Sequence, residues 1–154
     1  MIRRATMADA KGIHNLITYY AERGRMLHRS LESVYERLRD FQVCVEGEQV
    51  LGCAALQISW KDLGEIRSLA VAPSQRGKGV GKILVRRVAR EGRSIGLKKI
   101  FALTYEPEFF RRVGFVDIDR EALPTKVWRD CVFCPNADDC KEVAMVMELR
   151  KGGS

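Results

Sequence analysis

Apolar residues recur three and four positions apart in "TMADAKGIHNLITYYAERG", where Ile13, Leu16, Ile17 and Tyr20 share one face and a glycine closes the run. This spacing predicts a helix from about Met7 to Arg23. The stretch "RSLESVYERLRD" repeats the pattern, with Leu31, Val34, Tyr35 and Leu38 as its buried stripe and Ser30 as its N-cap, so a second helix follows. Next, "FQVCVEGEQVLGCAALQIS" holds two apolar runs either side of Gly47, rich in β-branched residues. It reads as a β-hairpin.

"EIRSLAVAP" is a further strand, stopped by Pro73, and it leads into a loop carrying Gly77, Gly79 and Gly81. A helix over about Val80 to Gly92 comes after, with Ile83, Leu84, Val88 and Ala89 as its expected inner face. "KKIFALTY" reads as a strand, "PEFFRRVG" as a short helix with Pro107 in its first turn, and "GFVDID" and "EVAMVMEL" as strands. A strand, a glycine loop, a helix and a strand make a βαβ unit. The sheet is therefore partly parallel and the class is α/β or α+β.

The glycine loop is where the pattern first points to chemistry. Glycines cost conformational entropy on folding, so three in ten residues imply a need for bare backbone, in turning or in close approach. The helix behind them supplies free N–H groups and the positive end of its dipole, which together cradle an anion. Two well-known uses fail on spacing. A nucleotide P-loop needs Ser or Thr after Gly-Lys, but Gly81-Lys82 is followed by Ile83; a dinucleotide fingerprint needs Gly-x-Gly-x-x-Gly, but these glycines alternate strictly.

Composition narrows this only slightly. The chain has 154 residues, enough for one domain with a real core, and we expect a single domain over 1–150 with "KGGS" at 151–154 as a disordered tail. Its 27 Lys and Arg against 20 Asp and Glu give a net charge of +7, which suits an anionic ligand, nucleic acid or an acidic membrane equally. No run approaches a membrane span and the Arg-rich start has no apolar secretory core, so the expectation is a soluble cytoplasmic protein. Arg86, Arg87, Arg90, Arg93, Lys98 and Lys99 spread around the solvent side without interleaved aromatics; we read a solvated basic face and expect no nucleic-acid partner.

The cysteine count is five, and Cys44 and Cys53 lie inside apolar runs, where a thiol behaves as a small hydrophobe. A disulfide framework is not expected. Cys131, Cys134 and Cys140 form a C-x2-C-x5-C cluster with no nearby His. A closed zinc site would need a fourth ligand such as Asp139 or Glu142, so the expected metal is none; a Cys131–Cys134 redox pair and ordinary reduced thiols are the other readings.

The third use of the loop fits. Arg76-x-x-Gly79-x-Gly81 resembles the acyl-coenzyme A pyrophosphate loop of the GNAT acetyltransferases, and the order of elements from residue 2 to about 120 agrees. Within that family the chain is similar to the acetyltransferase domain of bacterial N-acetylglutamate synthases. "IRRAT", "HRSLESV", "GCAAL", "GEIRSLAV", "IFALT", "FFRRVGFVDID" and "ALPTKV" carry the likeness. It departs from them in the cysteines after Val127, and the expectation is that no amino-acid-kinase domain stands in front.

The resemblance implies a mixed, mostly antiparallel sheet with a splayed parallel strand pair and flanking helices. It implies acetyl-CoA as cosubstrate, held by the backbone of Leu69, Ala70 and Val71, by the loop residues Arg76, Gly77, Lys78, Gly79, Val80, Gly81 and Lys82, and against Phe110. Glu65, at the start of the strand, is the expected general base. The family's usual acid is a Tyr at the position of Phe110, which cannot donate, so Thr104 and Tyr105 are the candidates for orienting the thiolate or the substrate. Arg29, in the turn before Ser30, and Lys126 are the expected substrate contacts, because planar recognition of a carboxylate favours a guanidinium; His28 beside it reads as a surface or capping residue. The implied reaction is acetylation of a small amino acid, glutamate first, in arginine biosynthesis. Another amine acceptor, or a catalytically silent CoA-binding module, is the alternative. A homodimer is compatible with all of these.

Overall fold

The structure, a computed structural model, describes residues 1–123 and 142–149. Among them the strands take the sheet order β1-β2-β3-β4-β5-β7-β6: Ile2–Arg4, Phe41–Glu46, Gln49–Trp60, Leu63–Val71, Lys99–Thr104, Val116–Asp117 and Val143–Glu148 in chain order as β1 to β7. The helices are Ala10–Ala21 (α1), Leu31–Glu36 (α2), Val80–Ser94 (α3) and Pro107–Arg112 (α4). The pairs β1–β2, β2–β3, β5–β7 and β6–β7 are antiparallel and β4–β5 is parallel, which is the mixed sheet the resemblance implies.

Two compact units divide the chain. The first joins Met1–Leu56 to Ile66–Glu91. Its hairpin turns at Gly47, with φ 62°, and slips register between Cys44 and Val45. Ile13 and Ile17 of α1, Val34 of α2, and Phe41, Val43 and Cys53 of β2 and β3 are wholly buried in one cluster. At about 25 cal/mol per Å² of apolar surface, such residues supply the main drive for folding. Ser30 caps α2 as expected, accepting from Ser33 N–H at 3.0 Å. The strand β1 escapes hydrophobic patterning because three residues are too few to show a period.

Two expected inner positions are corrected. Tyr35 is 37% exposed and Ile83 is 48% exposed. Each sits one residue, about 100°, off a core stripe: Leu31, Val34 and Leu38 in one case, and Val80, Leu84, Val85, Val88 and Ala89 in the other. The helix α3 also runs past its expected end at Gly92. That glycine faces Leu149, whose Cδ1 would lie 2.9 Å from an added Cβ, and the left-handed stop falls at Gly96 instead, with φ 92°.

The second unit joins Gln57–Glu65 to the described residues from Gly92 on. Here β5 pairs with β7 along its whole length, Lys99 opposite Glu148 through Thr104 opposite Val143. The parallel register sets Leu63, Gly64 and Glu65 beside Lys99, Ile100 and Phe101. Phe101, Leu123 and Ala144 form its core with Leu63, Leu103, Ile118 and Val146 packed against them. No helix among the described residues is long and apolar enough to cross a membrane.

Candidate active site

The glycine loop follows β4 directly. Ala72 N–H donates to the Leu51 carbonyl at 2.8 Å, a short turn over Pro73–Gln75 follows, and Gly77 and Gly79 take φ 80° and 82°. L-residues adopt that left-handed backbone only at a cost of about 1–2 kcal/mol each, which is why glycine stands at both positions. A Cβ built on either would meet nothing within 4 Å, so the loop is bare backbone facing open space. Gly81 differs: it is already inside α3, whose first bond runs from Ile83 N–H to the Gly79 carbonyl at 3.1 Å. Arg76, Lys78 and Lys82 are exposed, while Val80 is buried. Free N–H groups at the start of a fifteen-residue helix, with cationic side chains around them, fit the pyrophosphate of a coenzyme.

Arg29 occupies a different setting in the same unit. It is half-buried, its Nε donates to Ser33 Oγ at 3.0 Å, its Nη1 donates to Ser68 Oγ at 3.3 Å, and its guanidinium carbon lies 5.1 Å from the centroid of the Phe41 ring. Two hydroxyls and a ring face hold it, and it makes no ion pair among the described residues. Burial first, and then the like charge of Arg67, holds its pKa below the ordinary arginine value; Arg37 adds to this and Asp40 opposes it. Asp40 is itself pushed up by burial. The environment thus disfavours the charge on Arg29, and an anion would relieve it.

Around Arg29 the chain bends in an uncommon way. Ser68 in β4 has φ 54°, the single non-glycine residue with positive φ among those described. Its carbonyl accepts from the Cys53 thiol at 3.4 Å, and burial pushes that thiol up to about 12. Three residues on, the Tyr20 hydroxyl donates to the Val71 carbonyl, and burial raises Tyr20 as well. Sequence reading missed Ser68, Ser33 and Phe41 as neighbours of Arg29. Tyr20 carried a signal, its place in the helical stripe, but that signal reads as core packing.

In the second unit Glu65 is half-buried at the last residue of the parallel register, opposite Phe101. Thr104 is 8% exposed at the end of β5, and its hydroxyl accepts from Glu106 N–H at 2.8 Å, which leaves its own proton able to donate elsewhere. Tyr105 beside it is half-buried. Phe110 is 5% exposed, edge-on to Phe109 and to Phe115 at 5.1 and 5.0 Å. His28 is exposed, in keeping with a surface residue. Lys126 and the cluster of Cys131, Cys134 and Cys140 lie outside the described residues, among which no group of three or more His, Cys, Asp or Glu side chains is placed to hold a metal.

Comparison with known proteins agrees with this geometry. The chain is 42% identical over 148 residues to an uncharacterized N-acetyltransferase of Chlorobaculum tepidum, covering 96% of both chains. It is 37% identical over 131 residues to an amino-acid acetyltransferase of Mycobacterium tuberculosis, covering 83% of this chain and 75% of the relative. Among solved structures, N-acetylglutamate synthase from Neisseria gonorrhoeae, complexed with coenzyme A and N-acetyl-glutamate, superposes with a TM-score of 0.89 at 30% identity. That match covers 98% of this chain but 35% of the synthase, so this chain spans about a third of that protein. The model of the acetyltransferase (GNAT) family matches residues 11–115. With the mixed sheet, the bare loop ahead of α3 and these relatives together, the chain belongs to the GNAT acetyltransferases, enzymes that take their acetyl group from acetyl-CoA.

Proposed function

We propose that this enzyme acetylates the α-amine of a small amino acid, with L-glutamate as acceptor, and so makes N-acetylglutamate for arginine biosynthesis in the cytoplasm. One observation carries the reading: Arg29 is a half-buried guanidinium that makes no ion pair among the described residues, with the Asp40 carboxylate acting on it through space. A guanidinium held by hydroxyls and a ring, beside the like charge of Arg67, gains most from an incoming carboxylate. The amino-acid acetyltransferase relatives and the bound N-acetyl-glutamate of the gonococcal synthase support the same acceptor class.

In this reading the loop from Arg76 to Lys82 holds the pyrophosphate, and the backbone of Leu69, Ala70 and Val71 pairs with the pantetheine arm, with Phe110 lining the thioester end. Glu65 takes a proton from the substrate ammonium through a water, freeing the lone pair that attacks the thioester carbonyl. The carbon–sulfur bond then breaks, Thr104 or Tyr105 donates a hydrogen bond to the leaving thiolate, and the proton shed by the acylated nitrogen passes to that thiolate. Lys126 is the other acceptor contact in this reading. The test is acetyl-CoA turnover with L-glutamate, other amino acids, a polyamine, an aminoglycoside and a peptide N-terminus. L-Glutamate is expected to give the highest kcat/KM; preference for an amine without a carboxylate overturns the acceptor, and no turnover with any amine overturns catalysis.

A further inference from the structure

Ser68 stands in β4 where an ordinary strand residue would do, yet its backbone is left-handed, φ 54°. A serine gains nothing from that conformation by itself, since its Cβ meets the following carbonyl. Such a residue persists when its surroundings over-determine it. Here two contacts converge on it from different elements. Its hydroxyl accepts from Arg29 Nη1 at 3.3 Å, reaching back to the turn before α2, and its carbonyl accepts from Cys53 Sγ on β3 at 3.4 Å. A third contact fixes the strand beyond the kink, where the Tyr20 hydroxyl from α1 donates to the Val71 carbonyl.

The first of these contacts matters for function, because a long arginine side chain has many rotamers and a carboxylate fork needs one of them. Ser33 holds Nε from below, on the arginine's own helix turn, at 3.0 Å. The Phe41 ring covers the guanidinium face. Among the described residues only Ser68 hydrogen-bonds to Nη1, and it does so from the strand β4. Alanine at 68 would keep the strand and lose that contact.

We propose that Ser68 is a positioning residue for the acceptor: its left-handed backbone within β4, tied down by the Cys53 thiol, turns its hydroxyl onto Arg29 and fixes the guanidinium that receives the acceptor carboxylate. This rests on the assignment of Arg29 to that carboxylate. Ser68 itself touches no reacting atom. Its effect therefore runs entirely through Arg29, and this distinguishes it from a residue that merely stabilises the strand.

The experiment is a double-mutant cycle on the full chain with L-glutamate and acetyl-CoA: wild type, Ser68→Ala, Arg29→Ala and the pair. Ser68→Ala is expected to raise the KM for L-glutamate about fivefold, in the range of one ordinary intramolecular hydrogen bond, as suits a contact at 3.3 Å, with kcat and the KM for acetyl-CoA within about twofold. In the Arg29→Ala background the same change should add nothing. Ser68→Gly removes the hydroxyl and also relieves the backbone, so it should give the same rise in KM and serves if the alanine variant does not fold. An equal effect of Ser68→Ala with and without Arg29, an equal effect on both substrates, or an unchanged KM while Arg29→Ala raises it, overturns the role of Ser68 alone. An unchanged KM in Arg29→Ala, or no turnover of L-glutamate by the wild type, overturns the proposal together with the reading beneath it.

Discussion

The backbone turns left-handed in two neighbouring regions of the first unit for opposite reasons. At Gly77 and Gly79 the chain runs through open space, nothing lies within 4 Å of an added Cβ, and glycine removes the cost of φ near 80°. At Ser68 a side chain is present, the strain remains, and contacts from Arg29 and Cys53 offset it. The loop offers backbone to a ligand, whereas the kink aims a side chain. In the proposed reading the loop serves the donor and the kink, through Arg29, the acceptor. Each region should therefore fail on its own substrate.

Glu65 belongs to neither region, so its loss should move neither Michaelis constant strongly, and this is the largest effect expected. Glu65→Gln should cut kcat by something on the order of 10² to 10⁴ at neutral pH, the usual range for a general base. The deficit should narrow as pH rises, because more of the amine is then already deprotonated. Steady-state kinetics from pH 7 to 9 gives the answer, and wild-type kcat at pH 7 in the variant would return Glu65 to a structural role.

The acceptor side comes next. Removing one partner of a desolvated charge pair typically costs about 2–5 kcal/mol. Arg29→Ala should therefore raise the KM for L-glutamate at least tenfold while the KM for acetyl-CoA stays within about twofold. Arg29→Lys should recover part of the loss, since a point charge lacks the planar fork. Amines without a carboxylate should not register either change. Equal damage to both substrates would erase the distinction between the two regions.

The glycine loop was far more legible in the sequence than the setting of Arg29, and the reason is physical. A left-handed loop in open space must be written in glycine, so Arg76-x-x-Gly79-x-Gly81 appears as a motif. A left-handed strand residue held by its neighbours needs no special residue type, so Ser68 looks like any strand serine. Arg29 showed only as a guanidinium beside a helix cap, and its partners Ser33, Ser68 and Phe41 come from three separate elements. Apart from the three-residue β1, the strands and helices themselves were legible from periodicity and turn signals. The errors, Tyr35 and Ile83, are each one position off a stripe, the resolution limit of a pattern that turns 100° per residue.

Gly79→Val tests the loop directly. Valine at φ 82° strains the backbone and, in the presence of coenzyme A, places a branched side chain where a phosphate must approach bare N–H groups. Coenzyme A affinity should fall about tenfold, roughly 1.4 kcal/mol, with Arg29-dependent discrimination among acceptors unchanged. Calorimetry reads the first and acceptor KM ratios the second. Unaltered affinity would reduce the loop to a tight turn.

The smallest effect is one that should touch neither substrate and so serves as the baseline for the others. Asp9 is 5% exposed and receives the Arg3 fork at 2.6 and 3.1 Å together with Thr6 N–H at 2.7 Å, closing the entry to α1. The Arg3 hydrogen bond, first among several causes, lowers its pKa from the ordinary 3.8. A depressed carboxylate contributes stability that is fully present above its unfolded value and is lost as pH falls through its folded value. Asp9→Asn should cost about 1–2 kcal/mol at pH 7, as loss of the charge from a hydrogen-bonded partner does. Tm should drop by roughly 2–8 °C for a chain of this size, with both Michaelis constants unchanged at a temperature where the variant is folded. The gap between wild type and variant should shrink only below the ordinary carboxylate value near 3.8, and close once pH passes beneath the depressed one. A gap that persists unchanged down to that pH would mean that the carboxylate's charge is not what holds Arg3 and Thr6 in place.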